Sequence, residues 1–336
     1  NKMKPFKVSL VHLDEVSIPD WVPEKLKREG VDLFVKECQT PEELLQVAQD
    51  SDVVWLLGGR RILSPEILRL LPRCGAIVRS GSGTDNVPVK EATRLGIIVA
   101  NTPEAQHEQV TDHTLALLFS VVRQIANNDR LIRTGAWKSA RFLPYGPMHG
   151  KTLGLVGFGQ VPRTICQRIS GYEMNLLAFD PYVTPDTMAK FKVRYASLDD
   201  LMSQSDYISL HCPATRETYH LIKERELRLM KSTAILINAA RGSVSDESAL
   251  ILALKEKWFR GAGLDVFDQE PTNPDNPLLK LENVVLTPHI AGSGEGTSEA
   301  RWDLSVETLI DLSRGRWPRS YVNKHVKPRW ELAARK

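Results

Sequence analysis

Short apolar runs alternate with amphipathic segments through the first third of the chain. The runs are rich in Val, Ile and Leu and predict strands at 6–11, 31–35, 53–57, 76–78 and 97–100. The segments between them predict helices near 24–28, 42–49, 65–70 and 87–95. Strands that alternate with helices form a parallel sheet covered by helices. This part of the chain is therefore predicted to be a doubly wound α/β domain.

The alternation stops at residues 110–125, where apolar residues cover most of the circumference of a predicted helix. Thr111 and Asp112 stand near the start of this helix. A helix that is apolar on most faces is stable only when it is buried on nearly all sides. We therefore expect extensive packing against residues 110–125.

A second alternating series follows a segment rich in turn residues at 143–150. Its strands are predicted at 153–156, 176–179, 207–210, 234–237, 262–266 and 284–286, and its helices near 161–169, 198–202, 223–230 and 247–257. The last helical pattern, at 298–312, is expected to pack back on the first unit. The predicted domains are then a discontinuous one, 1–103 plus 297–336, and a continuous one, 104–296.

Length and composition agree with two globular domains. The chain has 336 residues, of which 42% are hydrophobic and 25% charged, which excludes disordered, collagen-like and coiled-coil classes. The 44 Lys and Arg residues nearly balance the 41 Asp and Glu residues. The resulting net charge of +3 is too small to make nucleic acid an expected partner.

The cysteines and the apolar segments indicate a reduced, cytoplasmic compartment. Cys38, Cys74, Cys166 and Cys212 are far apart and form no CxxC pair, so neither a zinc cage nor a disulfide framework is expected. No apolar segment follows the start of the chain as in a signal peptide, and the densest apolar stretch, 115–122, is too short to span a bilayer. We expect no membrane association.

A glycine-containing turn follows the predicted strand at 153–156. Gly157 and Gly159 stand in a GxGxx pattern, and Asp180 closes the next predicted strand. Strand, glycine turn, helix, strand and terminal acid together are typical of a dinucleotide site, where helix N–H groups face the pyrophosphate. Asp180 can accept both ribose hydroxyls of NAD, whereas the 2′-phosphate of NADP would be repelled by roughly 1 to 4 kcal/mol. The pattern predicts NAD as cofactor.

Pro162 departs from this pattern, because a third glycine is expected at its position. Proline suits the first turn of a helix, but it biases Val161 toward extended geometry and removes one possible phosphate donor. The turn is therefore expected to differ in shape. A strand-to-helix connection without a cofactor is the alternative interpretation of the same residues.

Three polar segments follow predicted strands of the second unit and suggest hydride transfer to and from a 2-hydroxy acid. The hydroxyl proton must be taken by a base, and histidine titrates near neutrality, so His289 is predicted to be that base. Glu270 would orient the imidazole and stabilise its charged form. Arg241 would bind the substrate carboxylate and polarise the keto oxygen.

The order of these three residues resembles that of the D-isomer-specific 2-hydroxyacid dehydrogenase family. The likeness extends over most of the chain and includes Arg79-Ser-Gly-Ser82-Gly83-Thr-Asp85-Asn86-Val, Asn101-Thr-Pro, Val110-Thr-Asp-His113-Thr, Gly150-Lys-Thr-Leu-Gly and Ser209-Leu-His211-Cys-Pro213. The resemblance implies a flavodoxin-like substrate domain, a Rossmann NAD-binding domain and a cleft between them. It also implies a homodimer built around a helical arm at about 104–148.

The same resemblance implies roles for further residues. Ser82 and Gly83 would offer backbone amides to the substrate carboxylate or to the nicotinamide end of the cofactor. Asp265 would meet the carboxamide, and Asp180 the adenosine ribose. The remaining cofactor residues implied by the family pattern, in addition to Gly157, Gly159, Arg241 and His289, are Gln160 and Val161 at the pyrophosphate, Pro213, and Ala239, Ala240, Ala291 and Gly292.

The sequence is most similar to the branch of this family that contains the C-terminal-binding proteins, which are transcriptional corepressors. The similarity lies in the Val110-Thr-Asp-His113-Thr segment and in the tail at 322–324. The branch has a tryptophan after the catalytic histidine segment, but Gly292 stands there in this chain. The rival hypothesis is therefore an NADH-sensing regulatory protein without significant turnover.

Other polar residues have less specific interpretations. Arg60 and Arg61 follow a predicted strand and could hold a second anionic group of the substrate, although solvated loop charges are the simpler explanation. His107 and His113 lack a carboxylate at metal spacing, so we expect them to cap and pack the arm helix, and we predict no metal. The basic tail at 314–329 is expected to be solvated.

The leading hypothesis is an NAD-dependent oxidoreductase that interconverts a D-2-hydroxy acid and its 2-keto acid. A pure sensor has no chemical need for Arg241, Glu270 and His289 together, which favours the enzyme. Oxidation of formate is disfavoured, because a substrate without a hydroxyl proton does not require the carboxylate-backed base that Glu270 and His289 would form. The sequence carries no portable motif for the substrate side chain.

Overall fold

A computed structural model describes residues 5–13, 17–137 and 144–335. The chain divides into two compact units, one of Asn1–Gln106 with Gly294–Lys336 and the other of His107–Ser293. Residues 138–143 lie outside the described residues, and with them part of the predicted arm and the first residue of the predicted linker. In the part of the chain that is described, no helix is long and apolar enough to cross a membrane.

The first unit contains a parallel sheet of strand order β2-β1-β3-β4-β5. Its strands are β1 Phe6–His12, β2 Val31–Val35, β3 Val53–Leu56, β4 Ala76–Arg79 and β5 Ile98–Asn101. Its helices are α1 Trp21–Arg28, α2 Pro41–Ala48, α3 Pro65–Arg69, α4 Val89–Arg94 and α12 Thr297–Ser313. Helices alternate with parallel strands, so the predicted doubly wound class is confirmed for this unit.

The C-terminal part of the chain completes the core of the first unit. Trp302 of α12 meets the fully buried Trp55 of β3 edge to face, with 5.4 Å between ring centroids. Asn323 accepts a hydrogen bond from Val99 N–H at 3.0 Å through its side-chain oxygen. The tail therefore contributes both buried apolar surface and hydrogen bonds to the sheet that the first hundred residues begin.

The second unit contains a larger parallel sheet of strand order β12-β11-β10-β9-β6-β7-β8. Its strands are β6 Thr152–Val156, β7 Asn175–Phe179, β8 Arg194–Tyr195, β9 Tyr207–Leu210, β10 Ile235–Asn238, β11 Gly261–Leu264 and β12 Val284–Leu286. Its helices are α5 His107–Arg123, α6 Ile125–Arg133, α7 Gln160–Arg168, α8 Pro185–Ala189, α9 Leu198–Gln204, α10 Glu224–Leu229 and α11 Glu247–Lys255. This is the predicted second doubly wound unit, with β8 and α8 as elements that the sequence pattern did not predict.

The predicted helix at 110–125 is α5 in the structure, but α5 ends at Arg123 and a second helix, α6, follows directly. Gln124 has a left-handed backbone (φ 55°) and separates α5 from α6. The Leu-rich and Val-rich face of α5 is buried, but Asp112, Ala116 and Arg123 are exposed. The expectation of burial on nearly all sides is therefore wrong within this chain, because α5 leaves one stripe of its surface open.

Candidate active site

The polar segments that follow β10, β11 and β12 lie at one edge of the second sheet. These strands are neighbours and run parallel, so their carboxyl ends meet at the same edge. Arg241 follows β10, Asp265 follows β11 and His289 follows β12. Open α/β sheets bind their ligands at this edge.

His289 contacts Glu270 at this edge. Its Nδ1 atom lies 2.5 Å from Glu270 Oε2, and the other carboxylate oxygen accepts the Phe267 N–H at 3.0 Å. A carboxylate only accepts hydrogen bonds, so Nδ1 is the donor and Nε2 is left to exchange a proton with a ligand. The side chains are 42% and 36% exposed, which keeps the imidazole accessible.

The pKa of Glu270 lies below its ordinary value. Burial raises it, but the hydrogen bonds from His289 and Phe267 N–H lower it, and the charges of His289 and Arg241 lower it further. The carboxyl group is therefore charged at neutral pH and can orient the imidazole. Arg241, the third predicted catalytic residue, is close enough for its charge to act on Glu270, so it belongs to the same site.

A tight turn after β10 presents Arg241. Asn238 holds this turn, because its side chain accepts the Ala240 N–H at 3.0 Å and donates to the Arg241 carbonyl at 2.9 Å. Gly242 is required next, since a Cβ there would overlap the backbone of Phe267. The segments after β10 and β11 thus pack backbone against backbone at the residue that follows Arg241.

Asp265 is fully buried and anchors the loop that carries His289. One carboxylate oxygen accepts the Thr287 hydroxyl at 2.6 Å and the Ile290 N–H at 2.9 Å, and the other accepts the Ala291 N–H at 2.8 Å. The resemblance implied a cofactor carboxamide as the partner of Asp265. In the structure the carboxylate is already bound by donors of its own chain.

His113 also lies in this site, although the sequence predicted only a packing role for it. Its Nε2 atom lies 2.9 Å from the Thr287 hydroxyl and 3.4 Å from Asp265. Besides the predicted packing role on the arm helix, His113 thus contacts a carboxylate that comes from a strand end far along the chain. Among the described residues, no group of His, Cys, Asp and Glu side chains could hold a metal ion.

The glycine turn has the geometry of a dinucleotide site. Gly157 has φ 95°, and a Cβ there would lie 3.0 Å from the backbone of His211 and Cys212. Gly159 caps α7, and nothing lies within 4 Å of the place where its Cβ would be. The N-cap residue Gly159 has no side chain to bond the N–H groups at the start of α7. The N–H groups of Gln160 and Val161 can therefore donate to an anion, and the residues present fit a pyrophosphate.

Pro162 is the third residue of α7 and is buried. The helix runs without a break from Gln160 to Arg168, so the proline is accommodated in the first turn. Pro162 therefore does not delay the start of the helix, which begins at Gln160.

Asp180 closes β7 beside the glycine turn. Its two oxygens accept the N–H groups of Phe158 at 2.8 Å and Tyr182 at 2.9 Å. The Tyr182 hydroxyl donates to Glu217 at 2.5 Å, so a second carboxylate, which the sequence did not indicate, is bound by the tyrosine two residues after Asp180. Pro213 lies in the same loop as Glu217, and its carbonyl accepts the Thr218 hydroxyl at 2.5 Å.

Ser82, Gly83 and Arg60 belong to the first unit, whereas the other predicted site residues belong to the second. The Ser82 hydroxyl accepts a hydrogen bond from Gln106 at 2.9 Å. Arg60 donates to Glu37 and to the Cys38 carbonyl, each at 3.1 Å. The Arg60 guanidinium is thus engaged by its own unit, while Arg61 is exposed.

A parallel sheet with a glycine turn, a terminal acid on the next strand and a carboxylate-backed histidine at the same edge defines a dinucleotide-dependent oxidoreductase. The model of the D-isomer specific 2-hydroxyacid dehydrogenase NAD-binding domain matches residues 115–291. The chain belongs to this family, as the sequence predicted, and is an NAD(P)-dependent 2-hydroxyacid dehydrogenase.

Curated relatives and solved structures are similar over nearly the whole chain. A glyoxylate reductase of Korarchaeum cryptofilum is 43% identical over 79% of this chain and 80% of its own length. The structure of a glyoxylate reductase from Paecilomyes thermophila has a TM-score of 0.87 at 26% identity, covering 95% of this chain and 99% of that one. An NADPH-dependent glyoxylate/hydroxypyruvate reductase from Sinorhizobium meliloti, in complex with NADP and malonate, has a TM-score of 0.81 at 26% identity over 97% and 98%. All three are reductases, which favours the enzyme over the regulatory alternative.

Proposed function

We propose that the protein reduces a small 2-keto acid to the D-2-hydroxy acid with NADH, and catalyses the reverse reaction with NAD. The observation that carries this proposal is the hydrogen bond between His289 and Glu270 at the ligand-binding edge of the sheet. The names of the relatives support glyoxylate as the first substrate to test.

His289 is the acid–base group in this proposal. When bound, the dinucleotide supplies the hydride in reduction and accepts it in oxidation. In reduction, Nε2 of the imidazolium donates its proton to the substrate oxygen as the carbon–hydrogen bond forms, and in oxidation it takes the hydroxyl proton. Glu270 stabilises the charged imidazole between these steps, and Arg241 binds the substrate carboxylate and polarises the keto oxygen.

NAD rather than NADP is the proposed cofactor. A 2′-phosphate would lie near Asp180, whose oxygens already accept two backbone N–H groups, and near the Glu217 carboxylate held by Tyr182. Both acids repel a phosphate, whereas ribose hydroxyls can donate to them. Because one similar protein is NADPH-dependent, the preference for NADH over NADPH has to be measured on this chain.

The other cofactor contacts follow the same proposal. Gln160 and Val161 would face the pyrophosphate, and Pro213 the adenosine half. Ala239, Ala240, Ala291 and Gly292 would surround the nicotinamide, and Asp265 would meet its carboxamide. Ser82 and Gly83 would bind the substrate carboxylate from the first domain, at 1–103 plus 297–336, and 104–296 would be the NAD-binding domain. The pairing of Arg60 with Glu37 weakens a substrate role for Arg60.

The experiment is a panel of 2-keto acids, beginning with glyoxylate, assayed with NADH and with NADPH by absorbance of the reduced nicotinamide. We expect turnover with NADH and a lower kcat/KM with NADPH. The double variant Asp180→Asn with Glu217→Gln should have a smaller ratio of kcat/KM with NADH to kcat/KM with NADPH. Absence of turnover across the panel, despite measurable NADH binding, would favour the regulatory alternative.

A further inference from the structure

A histidine of the arm helix reaches the loop that carries His289. His113 lies in α5, with its side chain 20% exposed, and its Nε2 atom is 2.9 Å from the hydroxyl of Thr287. Thr287 follows β12 and precedes His289 by two residues. The contact joins two segments that are far apart in the sequence.

The hydrogen bonds of Thr287 determine which atom of His113 carries a proton. A carboxylate cannot donate, so the single hydroxyl hydrogen of Thr287 is given to Asp265 at 2.6 Å. The Thr287 oxygen can then only accept from His113, and Nε2 must be the donor. The same nitrogen is 3.4 Å from Asp265 and places a positive dipole beside a fully buried carboxylate.

Asp265 in turn holds the loop in an unusual conformation. Its carboxylate accepts the N–H groups of Ile290 and Ala291, and its carbonyl accepts the His289 N–H at 2.7 Å. His289 has φ 53°, in the left-handed region that is uncommon for residues with a side chain. In this conformation Nδ1 meets Glu270.

We propose that His113 is a positioning residue for the reaction, acting through Thr287 and Asp265 on the loop of His289. This inference rests on the proposed role of His289. His113 touches neither Glu270 nor the Nε2 atom that exchanges the proton, so its effect is on the orientation of the imidazole. A displaced acid–base group slows the chemical step more than it weakens binding.

The test compares His113→Leu with His113→Gln in the full chain, using NADH and the 2-keto acid that the wild-type protein turns over. Leucine removes the donor, whereas the glutamine amide can donate from the position of Nε2. We expect kcat to fall about 10-fold to 100-fold in the leucine variant with KM for NADH nearly unchanged, and glutamine to restore most of it. His149→Leu, at an exposed histidine paired with Glu173, is the matched control.

A second pair of variants tests the same contact from the Thr287 side, in case His113→Leu does not fold. Thr287→Val removes the hydroxyl and Thr287→Ser keeps it, so only valine should lower kcat. Equal kcat in the leucine, glutamine and wild-type proteins would overturn the proposal. The proposal would also be overturned if kcat fell equally in His113→Leu and His113→Gln and also fell equally in Thr287→Val and Thr287→Ser.

A spectroscopic measurement separates this inference from the proposed function. The ring ¹⁵N shifts should identify His113 as protonated on Nε2, and the shifts of His289 should be the same in wild type and His113→Gln but altered in His113→Leu. A His113 ring protonated only on Nδ1 would overturn the inference whatever the turnover. If the ¹⁵N shifts are as expected but the protein turns over no 2-keto acid, the positioning of the His289 ring by His113 is supported and the proposed function is rejected.

Discussion

His289 combines three properties that rarely occur together in one residue. Its imidazole is partly exposed, its Nδ1 atom is bound to a carboxylate, and its backbone is left-handed. Strained backbones persist where the surrounding structure enforces them, and they concentrate at functional sites. The local structure therefore supports the choice of His289 as the acid–base group.

Replacement of His289 by alanine should lower kcat about 10²-fold to 10⁴-fold, because a positioned acid–base group accelerates proton transfer by that amount. NADH binding, followed by fluorescence, should persist, since the glycine turn is unchanged. His149→Ala serves as the control. Turnover close to that of the wild type would remove His289 from the mechanism.

We expect His211 to make the stability of the protein depend on pH. Burial lowers the pKa of His211 to about 3, and its Nε2 atom is buried without a hydrogen-bond partner. Between this pKa and the ordinary value of 6.5, the unfolded chain binds a proton at this residue that the folded chain does not. Stability should therefore fall as the pH drops below 6.5.

The variant His211→Gln should lose this part of the pH dependence, which amounts to as much as about 1.4 kcal/mol per pH unit. Urea unfolding between pH 5 and 8 measures it. His149→Gln, at an exposed position, leaves His211 in place and should therefore keep the loss of stability below pH 6.5. A His211→Gln profile parallel to the wild-type profile would show that His211 is not the source.

The sequence indicated some site residues and not others for a physical reason. Arg241, Glu270 and His289 each stand in a recognisable segment after an apolar strand, so their meeting follows from the topology of a parallel sheet. Glu217 carries no local signal, and the segment that contains His113 resembles the family pattern without indicating the partner of the imidazole. Their partners, Thr287 and Tyr182, are brought to them only by tertiary packing.

At the level of elements, the strands were predictable to within about two residues because buried parallel strands are continuous apolar runs. The two-residue strand β8 and the five-residue helix α8 are too short to show a period. The division of α5 from α6 at Gln124 also has no signal in the apolar pattern, since glutamine is a good helix former. Its left-handed backbone is stabilised by packing and side-chain hydrogen bonds.

Pro162→Gly should change cofactor affinity more than chemistry. The new N–H in the first turn of α7 can contribute a charge-assisted hydrogen bond of about 1.5 to 3 kcal/mol to NADH binding. We expect NADH to bind roughly 10-fold to 100-fold more tightly, with kcat changed less than about 2-fold. Fluorescence titration with NADH measures the dissociation constant.

Pro41→Gly is the matched control, because Pro41 begins α2 of the first unit with its own side-chain cap from Thr40. It should leave the NADH dissociation constant unchanged. If Pro162→Gly also leaves it unchanged, the departure from the glycine pattern has no effect on the cofactor.

At the level of the whole molecule, the exposed apolar residues of α6 and the following turn are consistent with the proposed homodimer. Ile125, Ile132 and Trp137 are 56%, 42% and 72% exposed. Such side chains in one helical segment are typical of a surface covered by a partner. A second copy of this chain is the partner that the family resemblance implies.

Sedimentation at micromolar concentration should give about twice the chain mass of 37.7 kDa. Ile125→Asp should shift the protein toward the monomer, because it places a charge in the covered surface. Leu252→Asp changes a similarly exposed residue of α11 and should remain dimeric. A wild-type protein that sediments as a monomer would reject the homodimer.

The placement of Trp302 and Asn323 has a consequence for biosynthesis. Residues 53–101 are made before the partners of Trp55 and Val99, because these partners follow the whole of His107–Ser293 in the chain. Domains that emerge as continuous segments can fold while translation proceeds. The discontinuous unit of this protein can complete its core only after Trp302 and Asn323 have been made.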